Sequence, residues 1–391
     1  MNHKFTVIIT HYNQMRFIKT AILSILNQTY PNVELIIADD CSSDFNCDIV
    51  ENVIKKYNHH KYHYKILSSK KNVGTVKNLN RVLKKATGEY ILFFAADDKM
   101  LNNHVIENFV LAFKDSRKNI ITTQCCLYDN KLKNKIGNYV DLKTAKKMNQ
   151  LSSHEIYEKM CEGCFYGSGG TAYRASIFKK YGFFNENYLL VEDWSYWLYV
   201  LRNGEKIYYE NFTSLCHRDG GISHSEYTKS TIPNHIKQYY RDILNIYVYE
   251  VLPYISQFTV REQYRILRQF NETILYYARF VPELTSYLHF FDEKRLSNTC
   301  LKYYWKLQTL WHFINPNVFK KIFNLVKCNK VVPITFIAWL LCCIFVINQI
   351  IFKSNLTLFL AYIISYIIIY YFIYAIDQVS NYLILKKKRE I

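Results

Sequence analysis

Residues 72–98 read NVGTVKNLNRVLKKATGEYILFFAADD, and two periodicities succeed each other within them. Val76–Lys85 spaces its apolar residues as a helix does, whereas Tyr90–Ala95 is an unbroken apolar run that stops just before Asp97-Asp98. A helix leading into a buried strand, with carboxylates where the strand ends, is part of a βαβ unit. The pattern extends upstream. Phe5–Thr10 is a short β-rich run, and Phe17–Leu26 sets Ile18, Ala21, Ile22 and Ile25 at helical spacing. Val33–Ala38 is a second strand, ending in Asp39-Asp40; a helix across Asp48–Tyr57 and a third strand near Tyr62–Leu67 follow. This alternation predicts an α/β fold built on a parallel sheet.

Ligands of an open parallel sheet bind outside the carboxyl ends of its strands. The polar clusters Thr10-His-Tyr-Asn13, Asp39-Asp40 and Asp97-Asp98 all fall at such ends, so the fold lines them along one edge. Neither GxxxxGK[ST] nor GxGxxG occurs, so no glycine cradle for phosphate is predicted. Paired carboxylates at a strand end serve divalent-metal coordination or acid/base chemistry, or simply cap a turn.

Residues 100–230 read as a mixed α/β continuation. Gly167-Ser-Gly-Gly-Thr171 is a compact glycine cluster, with Gly169-Gly170 suited either to a close approach or to a turn. Glu192-Asp193 opens an aromatic helix, Trp194–Leu201, where acids also suit the helix dipole. From Pro233 to about residue 330 the pattern is helical, with Ile236, Tyr239, Ile243 and Tyr247 on one face. Val331–Phe352 and Ser354–Ile376 contain no Lys, Arg, Asp or Glu. At about 1.5 Å per residue each run reaches about 33 Å, enough to span a bilayer core. Lys320, Lys321, Lys327 and Lys330 precede the first run and Lys386–Arg389 follow the second, with Lys353 alone between them. Positive flanks stay on the cytoplasmic side, so a hairpin with both outer ends cytoplasmic is expected. Its basic flanks suit anionic membrane lipids.

Composition narrows the classes further. The 391 residues carry a formal charge of +18, which calls for an acidic partner, yet no zinc-finger, RRM or helix-turn-helix signature accompanies it. Nucleic acid is therefore not the expected partner. The eleven cysteines lack regular spacing, and Cys161-Glu-Gly-Cys164 has no second pair, so ordinary free thiols are expected. The chain opens directly on a strand without a secretory signal, which places its front in the reducing cytosol as an expectation.

Three segments together resemble family 2 glycosyltransferases: VIITHYNQMRFIKTAILSILNQTYPNVELIIADDCSSD (7–44), the 72–98 stretch, and VEDWSYWLYVLRNG (191–204). The resemblance covers roughly residues 4–225 and implies the GT-A fold, a Rossmann-like nucleotide-diphospho-sugar transferase domain. It implies that Thr10, Tyr12 and Asn13 contact the nucleotide and that Asp39 binds the base. Asn72, Gly74 and Asn80 would line the nucleotide and sugar pocket. Asp97 matches the last residue of the family's metal-binding motif, with Asp98 beside it, for Mg²⁺ or Mn²⁺. Asp193 matches the catalytic base of inverting members. Arg218, in His217-Arg218-Asp219-Gly-Gly221 with Ser223 and His224, matches a basic loop near the diphosphate; His217 has the alternative of a core hydrogen bond. His11 has no assignable chemistry.

Where the family often has Asp-x-Asp, this chain reads Ala95-Ala96-Asp97-Asp98, one carboxylate short. The resulting expectation is a GT-A catalytic domain over 1–230, a helical and partly membrane-proximal segment over 231–330, transmembrane helices at 331–352 and 354–376, and a basic cytoplasmic tail at 377–391. The expected activity is inverting transfer of a sugar from a nucleotide-sugar donor, a UDP-sugar foremost, to a glycan or polyprenyl-linked acceptor at the bacterial inner membrane. The alternative is a non-catalytic scaffold that keeps the fold. A processive synthase is disfavoured, because two spans do not enclose a polymer channel and no QxxRW-like signature is present.

Overall fold

Alternation along FTVIITH divides strand β1 (Phe5–His11) between two cores, and every other element takes its place from that division. The computed structural model describes residues 3–59, 61–140, 142–219 and 232–291. The apolar runs at 331–352 and 354–376 and the tail at 377–391 lie outside the described residues. Among the described residues no helix is long and apolar enough to cross a membrane.

In chain order, β1 is followed by α1 (Met15–Leu26), β2 (Val33–Asp39), α2 (Cys47–Asn58), β3 (His63–Ser68), α3 (Thr75–Leu83) and β4 (Tyr90–Ala95). These four strands are mutually parallel in the order β3-β2-β1-β4. Next come β5 (Lys99–Met100), α4 (Val105–Ala112), β6 (Ile120–Tyr128), β7 (Lys135–Asn138), α5 (Leu142–Met148) and α6 (Ser153–Glu162). Then follow β8 (Thr171–Arg174), α7 (Ser176–Tyr181), α8 (Asp193–Arg202), β9 (Ile207–Arg218), α9 (Asn234–Ile246) and α10 (Val260–Ala278). The sheet continues from β4 through β8, β6 and β9 to β5, with β7 added beside β6. Strand β8 enters antiparallel to both neighbours, so the sheet is mixed where the first hundred residues alone predicted a parallel one.

Phe5, Val7 and Ile9 point to the face covered by α1, α2 and α4, where Ile18, Ile22, Val50, Ile54 and Phe109 complete a dry core. Ile8 points the other way, toward Val76, Leu79 and Val82 of α3. That second core does not stop at the α/β elements. It includes Trp194 and Trp197 of α8, Ile236, Ile243 and Leu244 of α9, and Ile266 and Phe270 of α10. Helices beyond residue 231 therefore share one hydrophobic core with the sheet, and residues that share a core are ordered together.

Candidate active site

The turn after β1 carries the first polar cluster. Asn13 adopts a left-handed φ of 53°, a conformation that asparagine tolerates better than most residues. Its side-chain oxygen accepts from the backbone N–H (3.0 Å) and hydroxyl (3.2 Å) of Ser43, and its own N–H donates to the Ser42 hydroxyl at 2.9 Å. Asn13 thus pins the turn after β1 to the turn after β2. Tyr12 is half exposed on the surface beside it. Register pairs His11 with Asp39, and His11 Nδ1 lies 3.0 Å from Asp39 Oδ1, both side chains being buried. Ser42 adds its N–H to the Asp39 carboxylate at 3.3 Å. His11 therefore has a role that its own segment does not reveal: it is held against the residue expected to bind the base.

Asp40 points across to the next loop, accepting from Val73 N (3.0 Å) and Gly74 N (2.8 Å). Burial raises its pKa although these two amides oppose the shift. Asn72 also accepts from Gly74 N, at 3.1 Å, which fixes the start of α3. Gly74 has φ +85°, and a Cβ there would sit 2.4 Å from Leu189 Cδ1 and 2.9 Å from the Leu189 carbonyl oxygen. Asn80 is committed elsewhere. Its amide donates to Phe184 O (2.9 Å) and Glu186 Oε1 (3.0 Å) and accepts from Phe184 N (3.1 Å), bracing residues 184–186 rather than facing the cleft.

At the end of β4, Asp98 is buried and its carboxylate lies 3.0 Å from His217 Nδ1 and 3.2 Å from Arg218 N. The Arg218 side chain donates from Nε to the Asp97 carbonyl oxygen (2.9 Å) and from Nη1 to Asn130 O, and its guanidinium lies 4.1 Å from the centre of the Phe17 ring. Two adjacent acids are costly to bury: burial first, then Asp98, pushes the Asp97 pKa up to about 6. For His217, burial opposes the charged ring, but Asp98 outweighs it and raises the pKa. Residues 220–224, which complete the basic loop read from the sequence, lie outside the described residues.

These strand ends meet in a cleft of about 130 Å³. Thr10, Ala95, Asp98, His217, Gly169 and Glu192 line it. Gly170, behind that wall, has no room for a Cβ, which would lie 2.5 Å from Cys125 Sγ; this glycine serves close packing. Glu192 and Asp193 start α8, and Glu192 rather than Asp193 borders the cleft directly. Asp193 turns one oxygen to Trp194 N at 2.7 Å. Burial, then Asp193, pushes Glu192 up to about 8, while burial pushes Asp193 up to about 6. Tyr139, Tyr173, Tyr239 and Cys164 surround the pair, and burial raises all four pKa values, so the wall is neutral.

The structure therefore brings Thr10, Asp98 and the Glu192-Asp193 turn to one cleft, with Asp97 next to it in the chain. Asp39, Asn72 and Gly74 build the adjoining loops, and Arg218 closes the Asp97 side. Among the described residues no group of three or more His, Cys, Asp and Glu side chains is arranged as a complete metal cage. Asp97 and Asp98 nevertheless fit a hard divalent cation, which binds through one or two carboxylates when phosphate oxygens supply the rest. Burial, and after it the neighbouring Asp98, disfavours the charged form of Asp97, and a bound cation would oppose both. No local sequence pattern reveals the pairing of Asp98 with His217, because the partners lie 119 residues apart.

The model of glycosyl transferase family 2 matches residues 6–182, a span that stops short of Glu192-Asp193. Three relatives are similar over shorter stretches. An uncharacterized glycosyltransferase of Haemophilus influenzae is 36% identical over 108 residues, covering 27% of this chain and 42% of the relative. The GalNAc(5)-diNAcBac-PP-undecaprenol beta-1,3-glucosyltransferase of Campylobacter jejuni is 34% identical over 99 residues, 25% of this chain and 31% of the relative. The poly(ribitol-phosphate) beta-N-acetylglucosaminyltransferase TarS of Staphylococcus aureus is 36% identical over 98 residues, 24% of this chain and 16% of the relative. Each match spans less than half the length of the relative concerned. A crystal structure of S. aureus TarS residues 1–349 with UDP-GlcNAc superimposes with a TM-score of 0.52 at 18% identity, covering 75% of this chain and 82% of that one. The likeness is one of fold. Over residues 6–182 the chain is thus similar to glycosyl transferase family 2.

Proposed function

We propose that the chain is an inverting glycosyltransferase of bacterial surface-polysaccharide synthesis. It moves a sugar from a nucleotide-sugar, a UDP-sugar foremost, to a hydroxyl of a glycan or lipid-linked acceptor. One observation carries the reading: Thr10 and Asp98, inside the stretch similar to family 2, and Glu192, ten residues beyond it, line one cleft. The named relatives act on related acceptors, a poly(ribitol-phosphate) in one case and an undecaprenol-linked glycan in another. The two apolar runs at 331–376 support an acceptor presented at a membrane.

In this reading the acceptor hydroxyl oxygen attacks the anomeric carbon as the bond from that carbon to the diphosphate breaks. The electron pair leaves with the nucleoside diphosphate, and the hydroxyl proton passes to Asp193. Burial and the adjacent Asp193 favour the protonated form of Glu192, which opposes a second negative charge on the pair. Asp97 and Asp98 would hold Mg²⁺ or Mn²⁺, which would offset charge on the departing diphosphate. His217 and Arg218 hold the Asp97-Asp98 turn in place.

Membranes carrying the full chain, incubated with a panel of labelled nucleotide-sugars, should transfer label from one donor class. Asp193→Asn should cut transfer by about 10²- to 10⁴-fold, and equal transfer by that variant would remove the base. Full turnover in EDTA would remove the cation. Ala95 at the cleft, where the family often has a carboxylate, favours one second reading, a non-catalytic scaffold. Calorimetry with UDP and Mn²⁺ separates the two: binding supports the enzyme, and no binding to any nucleoside diphosphate supports the scaffold.

A further inference from the structure

Asp242 lies in the middle of α9, sixty residues beyond the family match, and is completely buried. Its Oδ2 accepts from three successive backbone amides: Leu189 N at 2.8 Å, Leu190 N at 2.6 Å and Val191 N at 3.3 Å. Its Oδ1 accepts from Gln238 Nε2 at 2.8 Å, one helical turn away. An ionised carboxylate is expensive to bury unless its lone pairs are filled, and here they are filled by the segment that ends at Glu192-Asp193. Successive backbone amides that face one anion form a concavity that binds it.

The same segment is fastened from the nucleotide side. Leu189 O accepts from Val76 N at 3.2 Å, and the Leu189 side chain fills the space left by Gly74. Gly74 and Val73 are themselves held by Asp40. One residue before Leu189, the Tyr188 hydroxyl donates to Glu250 Oε1 at 3.3 Å, a second tie to the helical segment. Two buried carboxylates, Asp40 and Asp242, thus clamp the loops on either side of Leu189.

We propose that Asp242 is a positioning residue for the Glu192-Asp193 pair, so that the helical segment after residue 231 completes the active site. What is positioned rests on the glycosyltransferase reading; the clamp itself does not. The test uses Asp242→Asn in the full chain, with two readouts. Hydrogen exchange at Leu189–Val191 should accelerate about tenfold or more. Transfer kcat should fall on the order of 10- to 100-fold, as misplacement of a reacting group does, while UDP–Mn²⁺ affinity stays within about twofold. A purely structural role would instead weaken folding and nucleotide binding alike.

Unchanged exchange at 189–191 overturns the clamp, whatever the chain catalyses. Faster exchange with unchanged kcat overturns the positioning role and leaves the enzyme reading intact. If wild-type membranes transfer no sugar, the enzyme reading falls, and exchange still decides the clamp. Should Asp242→Asn fail to fold, Gln238→Ala removes one donor and keeps the carboxylate. It should accelerate exchange at the same three amides by a smaller factor, and no change there overturns the proposal.

Discussion

At the scale of single residues, the distinguishing feature is the pair of adjacent carboxyl groups at the start of α8. Tyr139, Tyr173, Tyr239 and Cys164 around Glu192-Asp193 remain neutral, and burial outweighs the backbone hydrogen bonds that favour ionisation, so both pKa values rise, to about 8 and about 6. The two groups share protons, so the steps belong to the pair. A base works only when ionised; kcat should therefore rise with pH through about 6 and fall about tenfold per unit below it. Glu192→Gln should erase any second step near pH 8. Initial rates between pH 5 and 9 check both, and a flat profile from 5 to 7 would exclude Asp193 as the titrating base. The sequence shows the acidic pair at a helix start. It does not show which acid borders the cleft, because that depends on the phase at which α8 begins. His11 and Asp242 were illegible for another reason: their partners are 28 and 51 to 53 residues away, and no local period reports such a contact.

At the scale of elements, loops matter more than strands. The four parallel strands were readable, since apolar runs bounded by polar clusters require little context. The antiparallel entry of β8 between β4 and β6 was not, because its four residues, TAYR, carry too short a pattern to fix direction or neighbour. Gly74 joins two elements whose packing the sequence leaves open. Its φ of +85° and ψ of 162° lie in a region that is essentially glycine-only. Any Cβ there also meets the Leu189 side chain and carbonyl. Gly74→Ala should therefore cost about 1–3 kcal/mol, read as a lower urea midpoint with unchanged slope. It should also accelerate exchange at Leu189–Val191, because Leu189 must move. Wild-type stability and exchange in that variant would show that the two loops are independent.

For the whole molecule, the informative fact is that α9 and α10 complete the core under the sheet. Their amphipathic period was visible, but a period says that a face is buried and not what buries it. The chain carries a charge of +18, and basic flanks bracket the runs at 331–352 and 354–376. The hairpin expected from the sequence, with both ends cytoplasmic, would tether the chain to an anionic membrane. Its spans would hold the chain far more firmly than charge alone, because surface attraction is screened within about 10 Å at 0.1 M salt. Full-length chain should accordingly stay in the membrane pellet through both 1 M salt and alkaline carbonate. Release by salt would indicate surface binding by the basic flanks, and release only by carbonate would exclude spanning helices. Topology follows from Ser354→Cys on a background without competing thiols: an impermeant maleimide added outside spheroplasts should label it. A site reached only after lysis would place the turn inside and overturn the hairpin.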